Sequence, residues 1–350
     1  MKQQAEGVML KERKTAKQML ADQRILLLIV IAAVVIFVGI MNPRFLMVEN
    51  IVAIFQAVSV TGLLTMTMAM LLLNGGLDLS SGDLLAMVCV IMSVLLRGGT
   101  GTTTPTYEYS FEVDINEVNN FQGMELWLVI LIGIGIAVGC TFANGVIVAK
   151  SKCMPLIITL GLSKVYFGFA LVISNGKYLS MDDAFESFRT LKIGDVVPVT
   201  ILIFIAMVVV TWFIVNRTRY GRQLVAVGGN EEMARLSGIN VDKNKIITYT
   251  LGGFYIALAG ILYATRLNSI TATAGGDYAL SALSGAIIGG VTFDGGKGTI
   301  IGAFIGCMFM GIIENAMNLM GVDAYVKIIV NGAIIVAAVV MSNISNLRKS

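Results

Sequence analysis

Four charged side chains sit inside or at the edges of otherwise apolar stretches: Asp78, Asp83, Lys164 and Glu314. A charge at bilayer depth costs about 2.5–3.5 kcal/mol on insertion scales, so each must face a partner or water. Asn74, Ser80 and Thr292 add an amide and two hydroxyls in or next to glycine-rich runs. These seven residues are the candidates for a polar path on which a hydroxylated solute would exchange hydrogen bonds. Each acid also has a structural reading. Asp83 would place negative charge at the positive end of a helix beginning near Leu84, worth a few tenths to about 1 kcal/mol. Asp78 would accept bonds from backbone amides around the glycines. A Lys164–Glu314 pair would satisfy both charges, although nothing in the sequence establishes it.

Several chemistries are excluded. The chain has no histidine, which removes imidazole metal sites, proton relays and Ser-His catalysis. Its four cysteines (89, 140, 153 and 307) lie in or at the edges of apolar runs without paired spacing, and read as buried small hydrophobes. Lys297 in GGKG lacks the glycine spacing and following Ser/Thr of a phosphate-binding loop, so no nucleotide site exists in this chain. An intramembrane aspartyl protease would need a Gly-x-Gly-Asp signature, which neither Asp83 nor Asp277 completes. An ion-coupled secondary transporter stays open, because the four buried charges could couple ions.

The elements that must position these residues are membrane helices. Hydrophobic residues make up 56% of the 350 and charged residues 13%, far from the soluble norm. The net charge of +3 is small and unevenly placed, and it argues for orientation rather than a nucleic-acid partner. The fold class expected is all-α and polytopic, with about ten spans. They are 25–41, 51–73, 84–96, 126–149, 156–174, 199–215, 246–264, 279–291, 298–319 and 324–342. The segment 1–24 is a basic, lipid-facing cytosolic tail, 25–342 one transmembrane domain, and 343–350 a second cytosolic tail. The first span meets Asn42-Pro43 and no small-residue cleavage site, which predicts an uncleaved anchor. The acidic stretch 97–125, with a Thr/Tyr-rich hairpin expected near 102–113, lies outside, as does 175–197. Gly135 and Gly139 should make a helix-packing face, as should Gly298, Gly302 and Gly306.

Two spans, 84–96 and 279–291, have only 13 residues, short of the roughly 20 needed to cross. Irregular backbone at 74–83 and 289–297 must make up the length, against protein or water. Gly75-Gly76-x-Asp78-Leu79-x-x-Gly82 echoes Gly289-Gly290-x-Thr292-Phe293-x-x-Gly296. The echo suggests an internal repeat of broken helices. Both connections fall on the cytosolic side, however, so they do not form an inverted pair.

Between two spans lies the polar stretch 216–245, where six basic residues outnumber three acids and so predict a cytosolic position. A short helix is legible in it. Asn230 is an N-cap, Glu231 and Glu232 complement the positive end, and Gly238 stops the helix at C′. Ile239 then folds back on Met233 or Ala234. Such a helix needs a protein partner or a bed of lipid headgroups.

The motif Gly228-Gly229-Asn230-x-x-x-Ala234-x-x-Ser237-Gly238-Ile239 resembles the cytosolic loop of sugar-type ABC importer permeases, the family of the ribose, xylose and galactose/methyl-galactoside systems. GGLDLSSGD at 75–83, GGVTFDGGKGTIIG at 289–302 and the GV…IIVNGAIIV end match as well, and the likeness runs from about 40 onward. The resemblance implies a non-catalytic subunit of the bacterial inner membrane, working as a pair with a second permease copy. It implies that Gly228, Gly229, Asn230, Glu231, Met233, Ala234, Leu236, Ser237, Gly238 and Ile239 form the coupling helix and its flanks. An ATP-binding subunit holding the ATP and magnesium would dock there, and an extracytoplasmic binding protein would deliver a monosaccharide. The C-terminal segment leans toward the galactose/methyl-galactoside branch over ribose, with a nucleoside importer as the alternative. Family members commonly carry an amide near Glu314, so this acid is a departure.

Overall fold

The computed structural model describes residues 23–97, 123–181, 184–194 and 196–347. Residues 1–22 and 348–350 of the expected tails and the hairpin expected near 102–113 lie outside this range, whereas 23–24 and 343–347, expected as tail, continue the first and last helices. The chain is mostly helical. In order, the helices are α1 Gln23–Met41, α2 Val48–Leu73, α3 Ser81–Arg97, α4 Leu126–Ser151, α5 Pro155–Ser174, α6 Glu186–Thr190 and α7 Val199–Arg217. There follow α8 Arg219–Gly229, α9 Glu231–Leu236, α10 Val241–Leu267, α11 Tyr278–Ile288, α12 Ile300–Leu319 and α13 Ala324–Leu347. Six of them (α2, α4, α5, α7, α10 and α12) are long and apolar enough to cross a membrane.

The two longest central helices, α2 and α10, form the core, and glycines let their neighbours in. At Gly252 an added methyl would lie 2.7 Å from Thr67 of α2, and at Gly253 2.1 Å from Thr141 of α4. Gly145 of α4 meets the backbone of Ile246 in the same way. The outer helices α4, α5 and α7 present Trp127, Leu131, Phe142, Ile157, Val165, Phe169 and Phe213 outward. Water would penalise such a surface and hydrocarbon would not.

The packing face expected of Gly135 and Gly139 is not used within the chain. Neither has a neighbour within 4 Å, and Gly133, against Met92, and Gly145 carry the contacts of α4 instead. Gly298 is also not helical. Its φ of +137° places it in the turn before α12. Gly302 and Gly306 do form a face, against Gly285 of α11 and Gly289 just after it.

Among the described residues, four two-residue strands qualify the all-α expectation. β1 (Leu179–Ser180) pairs antiparallel with β4 (Ser269–Ile270), and β2 (Lys192–Ile193) with β3 (Val197–Pro198). The first pair, extended by Met181 N donating to Asn268 O at 3.0 Å, pins two connections together at one end of the bundle.

The broken helices are arranged differently from the expectation. The segment leading into α3 climbs along α10: Asn74 bonds Thr248, Leu77 O accepts from Tyr249, and Cys89 Sγ reaches Gly260 O. The connection after α10 descends to meet it. Its 3-10 turn Ala272–Gly275 brings Gly275 onto Gly82, where a methyl on either glycine would lie 2.0–2.1 Å from the other's carbonyl oxygen. Thus α3 and α11 start beside one another, well inside the length of α10, and run apart. The irregular backbone precedes the short helix in both cases, and the two arrive from opposite ends. This is the inverted arrangement that the echo of 75–82 in 289–296 did not provide.

Candidate functional site

The polar stretch 216–245 folds into two helices. Sequence reasoning found α9 and missed α8, although Thr218 as cap and Tyr220, Leu224 and Val227 at helical spacing were the signal. Thr218 Oγ1 accepts from Gly221 N at 3.1 Å. Asn230 then opens α9, its side chain accepting from Met233 N at 2.9 Å. Ile239 N donates to Ala234 O and Gly238 N to Arg235 O, both at 3.0 Å, with Gly238 at φ +82°. This pair of bonds is the Schellman stop that a left-handed glycine permits. Ala234 packs with Val227, Val241 and Ile239, so Ile239 folds onto Ala234 and not onto Met233. The opposite side of α9 is bare: Met233 is 59% and Leu236 77% exposed. Glu231 pairs with Lys245, and Arg235 with Asp242 at 2.5 Å, which ties α9 to the first turns of α10.

The same region meets both glycine breaks. An added methyl at Gly228 would lie 2.0 Å from Leu73 O and 2.8 Å from Gly296 N. Gly295 abuts Gly228 O, Gly296 abuts Gly229, and Gly75 lies 3.5 Å from Gly228 Cα by the same measure. Gly296 N donates to Leu73 O at 3.2 Å. Beside this junction, Tyr220 OH and Thr248 Oγ1 are 2.7 Å apart. Thr248 Oγ1 gives its own proton to Asn244 O, so Tyr220 is the donor. Asn74 Nδ2 reaches the same hydroxyl at 2.6 Å. Burial pushes the Tyr220 phenol upward, which keeps it protonated as this bond requires.

The path candidates divide into two groups. Asn74, Asp78, Ser80 and Asp83 are covered by protein. Asp78 Oδ1 accepts from Ser80 N at 2.8 Å and Ser80 Oγ at 2.5 Å. Asn144 Nδ2 donates to Ser80 Oγ at 3.1 Å, and Tyr166 OH to Asn144 Oδ1 at 2.6 Å. Asp83, at the third position of α3, accepts from Ser163 of α5. Thr159 Oγ1 holds Leu79 N at 3.2 Å. Thr292 closes its own turn, its amide donating to Lys297 O at 3.0 Å. Lys164 and Glu314 are exposed on the single chain and are not brought together. Lys164 Nζ lies 5.7 Å from the Phe167 ring centroid on α5, while α12 carries Glu314 against α1, α2, α7 and α11. All four cysteines are free, but Cys153, in the turn between α4 and α5, is exposed rather than buried.

Residues 50–339 match the family described as the permease component of the branched-chain amino acid transport system. The chain belongs to this permease family. Among its relatives is the ribose import permease protein of Bacillus subtilis, 32% identical over 88% of each chain. The L-arabinose transport system permease protein of Escherichia coli is 31% identical over 92% of this chain and 91% of its own. The galactose/methyl galactoside import permease protein of Escherichia coli is 32% identical over 92% and 94%. No solved structure matches. The three identities do not separate the galactose branch from ribose or arabinose, so the lean drawn from the C-terminal segment has no support here. The chain is thus a multi-pass membrane permease component and not an enzyme.

Proposed function

We propose that this chain is the membrane subunit of an ATP-driven importer for a monosaccharide of the ribose, arabinose or galactose kind. The observation that carries the reading is α9, capped at both ends, anchored below through Ala234, with Met233 and Leu236 bare above. A rigid helix presenting two large apolar side chains outside the bundle suits docking to the ATP-hydrolysing subunit. That subunit supplies ATP and magnesium, and no cofactor resides in this chain. Gly228, Gly229, Asn230, Glu231, Ser237, Gly238 and Ile239 hold the helix in place rather than contact the partner.

In this reading ten apolar helices cross or enter the bacterial inner membrane from 25 to 342, with both tails in the cytosol. The end carrying α8 and α9 is cytosolic, in line with its excess of Lys and Arg. The end pinned by β1 and β4 receives the sugar from an extracytoplasmic binding protein. Lipid covers α4, α5 and α7, and a second permease copy completes the path. Thr292 and Glu314, and Lys164 on a face of α5 that lipid does not cover, would meet that path or the second copy. Asn74, Asp78, Ser80 and Asp83 support the broken segment in this conformation.

Leu236→Asp puts a charge on the docking face, and Gly238→Pro removes the glycine that stops α9. Both variants should insert normally, yet lose binding-protein-stimulated ATP hydrolysis in proteoliposomes. Wild-type stimulation in both would reduce α9 to a surface feature.

A further inference from the structure

We propose that Gly228 is the positioning residue through which movement of the docking helix reaches both glycine breaks, so that α8, Leu73 and Gly295-Gly296 move as one body. The inference rests on the docking assignment of α9 and goes a step past it. Leu73 ends α2, and Gly295-Gly296 lie between α11 and α12. Gly228 lies against the backbone of both: Leu73 O is 2.0 Å and Gly296 N 2.8 Å from the position of an added methyl. The Gly296 N to Leu73 O bond closes the triangle.

No side chain intervenes at this point. A side chain could absorb a displacement by changing rotamer, whereas backbone packed on backbone passes it on. A push on α9 is carried to α8 through Ala234 and Val227, and α8 ends at the junction. The segments moved there are the ones whose far ends meet at Gly82 and Gly275. The Tyr220–Thr248–Asn74 relay is a second tie between α8 and the first break, made of hydrogen bonds instead of backbone contact.

The test uses the complete importer, with its ATP-hydrolysing subunit and binding protein, in proteoliposomes loaded against radiolabelled D-ribose, L-arabinose and D-galactose. The quantity read is sugar moved per ATP hydrolysed. Gly228→Ala should lower this ratio about tenfold, a typical size for a lost coupling between sites. Tyr220→Phe, which deletes one hydrogen bond, and Thr248→Val, which removes the hydroxyl that Tyr220 and Asn74 share, keep shape and should each lower it by a smaller factor. Gly139→Ala, whose methyl meets nothing within 4 Å, should leave it unchanged. A wild-type ratio in Gly228→Ala overturns the proposal. Should that variant fail to assemble, the two relay variants decide, and unchanged ratios in both overturn it. Leu236→Asp separates the two readings. If it leaves ATPase assembly intact while Gly228→Ala uncouples, the docking face is misplaced and the junction stands.

Discussion

Removing the Asp78 carboxylate should destabilise the chain by about 3 kcal/mol, because Ser80 would keep its donors and lose their acceptor. Asp78 is 1% exposed, and one of its oxygens takes both the amide and the hydroxyl of Ser80. In Asp78→Ala these two donors are left in a site that water does not reach, at about 1–3 kcal/mol each before relaxation. The upper end of the sum is reduced because the Ser80 hydroxyl can rotate. Asp78→Asn keeps an acceptor oxygen in the same place, loses the charge and turns the second oxygen into an NH2 donor. Bonds to a charged acceptor are roughly twice as strong as neutral ones, so the cost falls to about 1 kcal/mol. Equilibrium unfolding in mixed micelles ranks wild type, Asp78→Asn and Asp78→Ala in that order. Combining Asp78→Ala with Asn144→Ala should cost less than the sum, since the two act on the shared Ser80 hydroxyl. Sugar uptake per folded molecule should be retained in Asp78→Asn. An Asp78→Asn chain of wild-type stability with no uptake would refute the support role and make the charge itself part of the path.

Orientation is tested with single cysteines. In a Cys153→Ser background, Tyr178→Cys should react with an impermeant thiol reagent on intact cells, and Arg222→Cys only after lysis. Reversed labelling would remove the docking assignment together with the topology. The native Cys153, exposed in the turn between α4 and α5, should likewise react only after lysis. Glycine positions separate packing from mere small size. Gly82→Ala and Gly306→Ala would each place a methyl 2.0–2.1 Å from a carbonyl oxygen, at a cost of about 1–3 kcal/mol for overpacking. Gly135→Ala meets nothing within 4 Å and should be neutral or slightly stabilising in the same unfolding assay.

Much of the membrane architecture was legible in the sequence. Apolar runs fix where helices can lie, because lipid leaves each backbone group no partner but its own helix. Each of the ten expected spans has a helix over it in the structure, and the breaks expected at 74–83 and 289–297 are irregular over 74–80 and 289–299, with Ser81–Asp83 already in the helix. The helix α9 was legible for a local reason. Asn230, Gly238 and Ile239 act within a few residues of one another, so cap and stop can be read without knowing the fold. The helix α8 carries the same kind of local signal in the Thr218 cap and the spacing of Tyr220, Leu224 and Val227.

What the sequence could not determine is which irregular segments meet. Gly275 and Gly82 are far apart along the chain, and their contact depends on how deep each segment reaches beside α10. That depth is decided by Asn74 on Thr248, Tyr249 on Leu77 and Cys89 on Gly260, none of which a repeat search detects. The sequence echo therefore paired 75–82 with 289–296, which do come close, but through Gly228 and as neighbours at one end. Residue type alone also left Gly135 and Gly133 indistinguishable, and Lys164 and Glu314 a plausible pair. Whether a glycine faces backbone or open space, and whether two charges share a neighbourhood, is set by helix rotation and crossing. Those belong to the packing of the whole bundle, and only the tertiary structure decides them.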